Sequence, residues 1–251
     1  MSTMTTATML RSEVRRAWLG RAVPYFLVFG VLLTALSAAG TFSGVTDQLR
    51  TPDGDVDVTV TMVRTWFALS LFIGMATAFD AAREVSSGVA SRVITALGSR
   101  TAYFTGKAAI GASTGFVGAL LGAAASIGFA AILLAMNDSA LHMSKEAWLI
   151  VLGCAVVNTV AGLWGTLIGL LTRNAIVAII VVFALCMLVE PALQAFLPSV
   201  GKFFMTNAMA SVYIDAQEHL LSVPSASAVI VGWLVVLGLG AFQLTRTKDL
   251  R

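Results

Sequence analysis

Few residues in this chain combine the type and spacing that a catalytic site requires. Residues Gly111 to Gly115 spell G-x-S-x-G, the pattern around the nucleophile of α/β-hydrolases. That pattern needs a strand, a sharp turn and a helix around the serine, and a histidine base. Here it lies inside a long apolar run, and both histidines, His142 and His219, fall in other segments. The sequence therefore does not favour acyl-transfer chemistry.

Phosphate and metal chemistry also lack the residues they need. The nearest approach to a P-loop, Gly106-Lys107, is followed by Ala108 and lacks the upstream glycine, so it cannot cradle phosphates. The two cysteines, Cys154 and Cys186, lie inside apolar runs, and they do not form a zinc spacing with two distant histidines. We expect no metal, no bound cofactor and no enzymatic activity of this chain's own.

The composition is typical of a protein embedded in the lipid bilayer. Hydrophobic residues make up 58% of the 251 residues and charged residues only 12%, whereas a soluble domain carries about 25% charged residues. A helix needs about 20 apolar residues to cross a hydrocarbon core of about 30 Å. The pattern predicts an all-α membrane protein, with residues 1–251 forming one transmembrane domain. The six predicted spans are about 24–43, 60–79, 108–136, 147–172, 175–189 and 225–245.

Shorter elements accompany the spans. In residues 9–22 an apolar stripe that includes Trp18 alternates with arginines, which predicts an interfacial helix on anionic headgroups. A signal peptide fits this segment less well, because a long apolar run follows it without a clear small-residue cleavage site. Before the last span, apolar pieces too short to cross are interrupted by Pro191 and Pro198, which predicts short re-entrant or interfacial helices.

Basic residues are distributed unevenly between the two faces that six spans define. The N-terminal segment, residues 80–107, Arg173 and the C-terminal segment hold 12 of the 16 lysines and arginines. The other face holds nine of the 13 acidic residues. Because basic loops stay in the cytoplasm, we expect both termini to be cytoplasmic and the protein to lie in the cell membrane as a multi-pass chain.

Small residues follow one face of two predicted spans. Span three carries Gly111, Gly115, Gly118 and Gly122, and span four carries Gly162, Gly165 and Gly169. Small faces let membrane helices approach closely, so these glycines predict helix–helix contact. Asn158 is the main polar residue inside span four. Such an asparagine is more often an interhelical hydrogen-bond donor than a substrate ligand.

The segment from Phe79 to Lys107 is a long charged stretch between two apolar spans, and it is basic, whereas the other long charged stretches between spans are acidic. Glycines 88 and 98 bracket a run in which Val89, Val93 and Leu97 recur at helical spacing. We therefore predict a short amphipathic helix at the membrane surface that is presented to a soluble partner. The charged residues of the segment are Asp80, Arg83, Glu84, Arg92, Arg100 and Lys107.

The order of these parts resembles the ABC-2-type transporter permease family. The resemblance covers almost the whole chain: a basic interfacial helix, six spans, the charged loop after span two and a broken helix before span six. Where the family often has proline before a small-residue–Arg pair, this chain has Leu97-Gly98. The matching residues are Arg83-Glu84, Gly88, Ser99-Arg100, Lys107 and the terminal Lys248-Asp249-Leu250.

The resemblance implies the permease subunit of an ABC exporter. Two six-span subunits, identical or homologous, would form a dimer around a pathway, and a pair of ATP-binding subunits would dock beneath it. Those partners would use ATP and Mg, while this chain would hydrolyse nothing and bind no nucleic acid. The substrate would be amphipathic or hydrophobic, such as a drug, antibiotic, peptide or lipid, as in multidrug resistance. The residues expected to couple the ATPase to the spans are Arg83, Glu84, Gly88, Arg92, Ser99 and Arg100.

Two further groups of residues are candidates for the pathway. Aromatic and methionine side chains in spans two and five could form an apolar wall of the substrate pathway, although ordinary packing also explains them. Arg64 and Glu190 lie at similar depth near the outer face, where they could pair as an outer gate or reach the headgroups separately. The alternative function is a membrane anchor or assembly protein that transports nothing. The wall residues are Trp66, Phe67, Phe72, Met75, Phe183 and Met187.

Overall fold

The computed structural model describes residues 22–215 and 220–247. Over these two ranges the chain is helical and contains no strand, which confirms the predicted all-α class. The interfacial helix expected at 9–22 lies outside the described residues except for its last residue, and so does the terminal motif at 248–250.

Six helical stretches in the described residues are long and apolar enough to cross a membrane, which confirms the predicted number and a multi-pass membrane protein. Most extend beyond the predicted spans, because a helix continues through its polar flanks after it leaves the hydrocarbon. The third begins eight residues earlier than predicted, at Arg100, and the fifth ends at Phe196 rather than 189. The six are Ala22–Arg50, Gly54–Ser86, Arg100–Ala135, Lys145–Thr172, Ala175–Phe196 and Val223–Thr247.

The helices are numbered here in chain order. Three of the six spans are composite: the first ends in a 3₁₀ segment, Thr46–Arg50, the second contains the 3₁₀ turn Thr65–Ala68, and the fifth contains the π-helical turn Leu185–Val189. The helices are α1 Ala22–Val45, α2 Gly54–Arg64, α3 Leu69–Ser86, α4 Val89–Leu97, α5 Arg100–Ala135, α6 Lys145–Thr172, α7 Ala175–Ala184, α8 Glu190–Phe196, α9 Pro198–Gly201, α10 Met205–Val212 and α11 Val223–Thr247.

Helix α6 is the centre of the bundle, and glycines let its neighbours approach it closely. A Cβ atom on Gly165 would lie 2.2 Å from the carbonyl oxygen of Gly74 on α3. On the other side of α6, a Cβ on Gly162 would lie 2.3 Å from the carbonyl oxygen of Gly111 on α5. The predicted glycine faces are therefore contact surfaces, where α3 and α5 touch α6 backbone to backbone.

The segment after span five contains three short helices, α8, α9 and α10. Pro191 and Pro198 lie at the beginnings of α8 and α9, where proline is tolerated because the first helical N–H groups have no intrahelical acceptor. Helix α8 continues α7 through the π-helical turn, and this segment folds back so that α10 packs against α6 and α11. A re-entrant position in the bilayer stays a prediction.

Candidate functional site

Two glycines set the direction in which the chain enters and leaves α4. Gly88 has φ 71° and Gly98 has φ 65°, the left-handed region that other residues adopt only with strain. A Cβ atom at either position would meet nothing within 4 Å, so the backbone conformation rather than packing requires glycine. The two turns hold α4 between the ends of α3 and α5.

Helix α4 is amphipathic, as its sequence spacing predicts. Ala90 is fully buried, and Val93, Ile94 and Leu97 pack against an apolar cluster that includes Tyr103 of α5. The opposite face carries exposed residues, including Arg92 and Ala96. The helix is therefore fixed to the bundle by one face and offers the other to solvent or to a partner.

A groove of about 670 Å³ lies between the end of α3 and the face of α4. The exposed guanidinium groups of Arg83 and Arg92 line it, together with Asp80. Val93 and Ala96 supply apolar surface between the charges. A groove that combines exposed arginines with a small apolar floor can bind a protein element that carries acidic and apolar side chains.

An ion cluster joins α3 to α5 beneath this groove. The Nζ atom of Lys107 lies 2.5 Å from Glu84 Oε2 and 2.7 Å from Asp80 Oδ2. Lys107 and Glu84 are each only 5% exposed. Asp80 and Glu84 are one turn apart on α3, so both carboxylates reach the same ammonium group. Buried charges of this kind persist only when each has its partner, so the cluster fastens the ends of the two spans together.

The structure divides the six residues expected to couple an ATPase to the spans into two groups. Arg83 and Arg92 are exposed, and Gly88 is half-buried. Glu84 borders the groove but is buried against Lys107, and its part in coupling stays a prediction. It is a positioning residue inside the chain.

Ser99 and Arg100 also act within the chain. The Ser99 hydroxyl caps α5 by accepting a hydrogen bond of 3.2 Å from the backbone N–H of Ala102. The Arg100 guanidinium donates to the carbonyl oxygens of Thr245 and Arg246, at 3.2 Å and 2.6 Å. A cation there complements the last carbonyls of α11. Arg100 thus ties the last span to the α4–α5 corner.

The sequence contains a signal for the ion cluster. Asp80 and Glu84 are spaced i, i+4 at the end of one apolar helix, and Lys107 lies two turns into the next. Because charges in a loop are usually solvated, the sequence alone predicts these three residues at a surface. Their position within helices rather than in a loop is what places them together.

The six candidate wall residues do not line a common cavity within one chain. Trp66, Phe72 and Met75 are buried in the core, with Trp66 only 2% exposed. Phe67 stacks on Tyr213, with ring centroids 4.9 Å apart. The remaining two, Phe183 and Met187, are exposed on the fifth span. Within the single chain the six residues therefore do not form one wall, and a role in a pathway between two subunits stays a prediction.

The outer gate pair is not formed within the chain. Arg64 Nη2 lies 3.4 Å from Glu146 Oε1 at the start of α6. The Glu190 carboxylate instead accepts a 2.6 Å hydrogen bond from the backbone N–H of Thr206, and another from the Thr206 hydroxyl. Within this chain each of the two side chains therefore contacts a local group rather than the other, while a pair across two subunits and a contact with headgroups stay predictions.

An exchange of charges tests this assignment. Arg64→Glu should lower the free energy of unfolding in micelles by about 1 kcal/mol, because it places two carboxylates together at a partly exposed site. Adding Glu146→Arg should restore the stability, whereas adding Glu190→Arg should not. Rescue by Glu190→Arg alone would show that the gate pair exists. Thermal melting of the purified variants measures the difference.

No interhelical hydrogen bond of Asn158 is found within residues 22–215 and 220–247. Its side chain is buried, and its Oδ1 atom has no hydrogen-bond partner among the described residues. It borders a cavity of about 10 Å³ that Ser126 also lines, a space about large enough for one water molecule.

No known protein-family model matches this chain, and no curated protein matches its sequence significantly. Membership of the ABC-2-type family therefore rests on the motif residues and on the order of the elements, and it stays a prediction.

Proposed function

We propose that this chain is the permease subunit of an ATP-driven exporter of the ABC-2 type. The observation that carries the proposal is α4 itself, a short amphipathic helix held by two left-handed glycines between two spans. Its exposed face and the adjoining groove present Arg83 and Arg92. A soluble ATP-binding subunit is the partner that such a surface suits best, since exposed arginines beside a small apolar floor complement a protein element with acidic and apolar side chains.

The coupling step follows from how α4 is attached. The chain runs from α3 through Gly88 into α4, and from α4 through Gly98 into α5. Lys107 holds the ends of α3 and α5 together through Asp80 and Glu84. A displacement of α4 by a partner is therefore transmitted to both spans at once, which is how a rigid element converts a local contact into a rearrangement.

In this proposal the α4 end of the bundle faces the cytoplasm of a cell membrane, and both termini lie on that side. The distribution of lysine and arginine supports this orientation. A second permease subunit, identical or homologous, completes the pathway. ATP and Mg are used by the partner pair, and an amphipathic or hydrophobic substrate moves outward.

Arg92→Glu tests the docking surface. Reversing this exposed charge should reduce the vanadate-sensitive ATPase activity that co-purifies with the tagged chain by about tenfold or more, because like charges at an interface are strongly unfavourable. The chain's own melting temperature should not change, since Arg92 is exposed and α4 is fixed by its other face.

The matched control is Arg50→Glu, the same change at an exposed arginine at the other end of the bundle. It should leave the co-purified ATPase activity unchanged. If no ATPase activity accompanies the unaltered chain, or if Arg50→Glu and Arg92→Glu behave alike, the exporter proposal fails and the non-transporting membrane anchor replaces it.

A further inference from the structure

A second groove, away from α4, runs along the outside of α6 between the fifth and sixth spans. It has a volume of about 250 Å³, slightly below the usual range of about 300–1,000 Å³ for ligand pockets. Trp164 and Ile168 of α6, Val181 of α7 and Leu237 of α11 give it an almost wholly apolar lining. A slot of this size accommodates an alkyl chain or a single aromatic ring.

Glu190 lies at one end of this groove and is its only charged lining residue among those described. The residue is 2% exposed. No lysine, arginine or histidine nitrogen of the described residues lies within 4.0 Å of its carboxylate. An ionised carboxylate in such surroundings is costly unless a cation neutralises it, and an ionisable group inside a membrane protein is a functional candidate for that reason.

Capping of α10 is the ordinary structural role of a residue such as Glu190, and it uses only one of the two carboxylate oxygens. Oε2 accepts from the backbone N–H and the hydroxyl of Thr206 and so caps the first turn of α10. Both hydrogen bonds from Thr206 end on Oε2, and the backbone N–H of Asn207 is the other described donor close to the carboxylate. A cap requires an acceptor oxygen but no charge, and a glutamine could supply it. The charge and the second oxygen are left for something in the groove.

Aromatic rings also border the groove. Phe204 and Trp233 both line it, and their ring centroids are 5.9 Å apart. The Trp233 indole N–H donates to the carbonyl oxygen of Phe203 at 2.8 Å, which fixes the plane of the ring. Aromatic faces near a carboxylate are the surroundings that ammonium groups prefer. The π-helical turn Leu185–Val189 directly precedes Glu190, and such turns are frequent at functional sites.

From this geometry we propose that the groove binds an amphiphile with a positively charged amine, its cation on Glu190 Oε1 and its apolar tail along α7 toward Val181. The nine residues from Val181 to Glu190 span about 13 Å of helix, which sets the length of the tail. The claim that this amphiphile is an exporter substrate rests on the proposed function. The claim that the groove binds it does not.

The experiment measures equilibrium binding without any ATPase. The purified chain in phosphatidylglycerol nanodiscs is titrated with 11-bromoundecyl-trimethylammonium, whose bromine quenches tryptophan fluorescence on contact, and with the anion 11-bromoundecanoate. The cation should quench saturably, while the anion should bind about tenfold more weakly or worse, as expected when one charged contact is lost. Equal binding of the two would overturn the proposal and leave only an apolar slot.

Two variants separate the charge from the helix cap. Glu190→Gln keeps an acceptor for Thr206 and removes the charge, so the half-saturation concentration of the cation should rise about tenfold or more. Thr206→Ala keeps the charge and the backbone N–H, and should bind as the unaltered chain does. If Glu190→Gln binds the cation as the unaltered chain does, the proposal is overturned, whatever Thr206→Ala does.

Two further arms identify the occupant. In phosphatidylcholine nanodiscs, loss of saturable quenching would show that the site takes a lipid headgroup, which overturns the assignment to a free amphiphile. If the cation binds but does not change the co-purified ATPase activity, its role as a substrate is overturned and the binding site stands. If binding persists in a chain that recruits no ATPase, the exporter proposal fails by itself.

Discussion

Replacing Lys107 by methionine is expected to lower the free energy of unfolding by about 3–5 kcal/mol, the usual cost of removing one partner from a buried ion pair. The lysine is nearly inaccessible, and its ammonium group lies between Asp80 and Glu84. Without it, two carboxylates face each other where water hardly reaches the Glu84 side chain. Denaturation of the purified chain in micelles by sodium dodecyl sulfate measures the loss.

Two companion variants show whether the effect belongs to the ion cluster. Adding Glu84→Gln to Lys107→Met should recover a large part of the stability, because the buried carboxylate is then neutral and Asp80 remains partly exposed. Lys145→Met removes an exposed lysine and should change the free energy of unfolding by less than about 0.5 kcal/mol. If Lys107→Met lowers the free energy of unfolding no more than Lys145→Met does, the cluster does not fasten α3 to α5.

Gly165→Ala is expected to be the second most damaging change. The added Cβ atom would lie 2.2 Å from the Gly74 carbonyl oxygen and 2.4 Å from the Thr77 hydroxyl oxygen. Neither the backbone of α3 nor that of α6 can retreat without separating the two helices. We expect the free energy of unfolding to fall by about 1–3 kcal/mol, the range for overpacked cores, as measured in the same denaturation assay.

Gly128→Ala is the matched control for Gly165→Ala. Gly128 also lies within a spanning helix, but a Cβ atom there would meet nothing within 4 Å. Stability should stay the same or rise by up to about 1 kcal/mol, since alanine favours the helix over glycine. If the two substitutions cost the same, helix propensity rather than close approach explains the glycines of α6.

The spans and the glycine faces could be predicted from the sequence because both are periodic along a helix. The count of six follows from the apolar runs, and the glycines recur at three and four residues. The bounds were less accurate, since hydropathy reports where the hydrocarbon ends rather than where the hydrogen bonding ends. Arg100, for example, is predicted in a loop but is the first residue of α5.

The pairing of Arg64 with Glu190 could not be decided from the sequence. Counting residues along two helices gives the height of each charge but not the direction in which its side chain points. The 3₁₀ turn after Arg64 and the π-helical turn before Glu190 each change the rotation of the helix at that charge. Neither turn has a sequence pattern that predicts it, so the true partners, Glu146 and Thr206, required the structure.

The backbone contacts of α6 also limit which helices can slide. Shear between packed helices requires side chains that exchange one set of grooves for another. Where Gly165 meets Gly74 and Gly162 meets Gly111, carbonyl oxygens occupy the space that such an exchange would need. Helices α3, α5 and α6 therefore form a single mechanical body. The helices that can move relative to this body are the peripheral ones. The spans containing α7 and α11 bury only 22% and 17% of their apolar stretches.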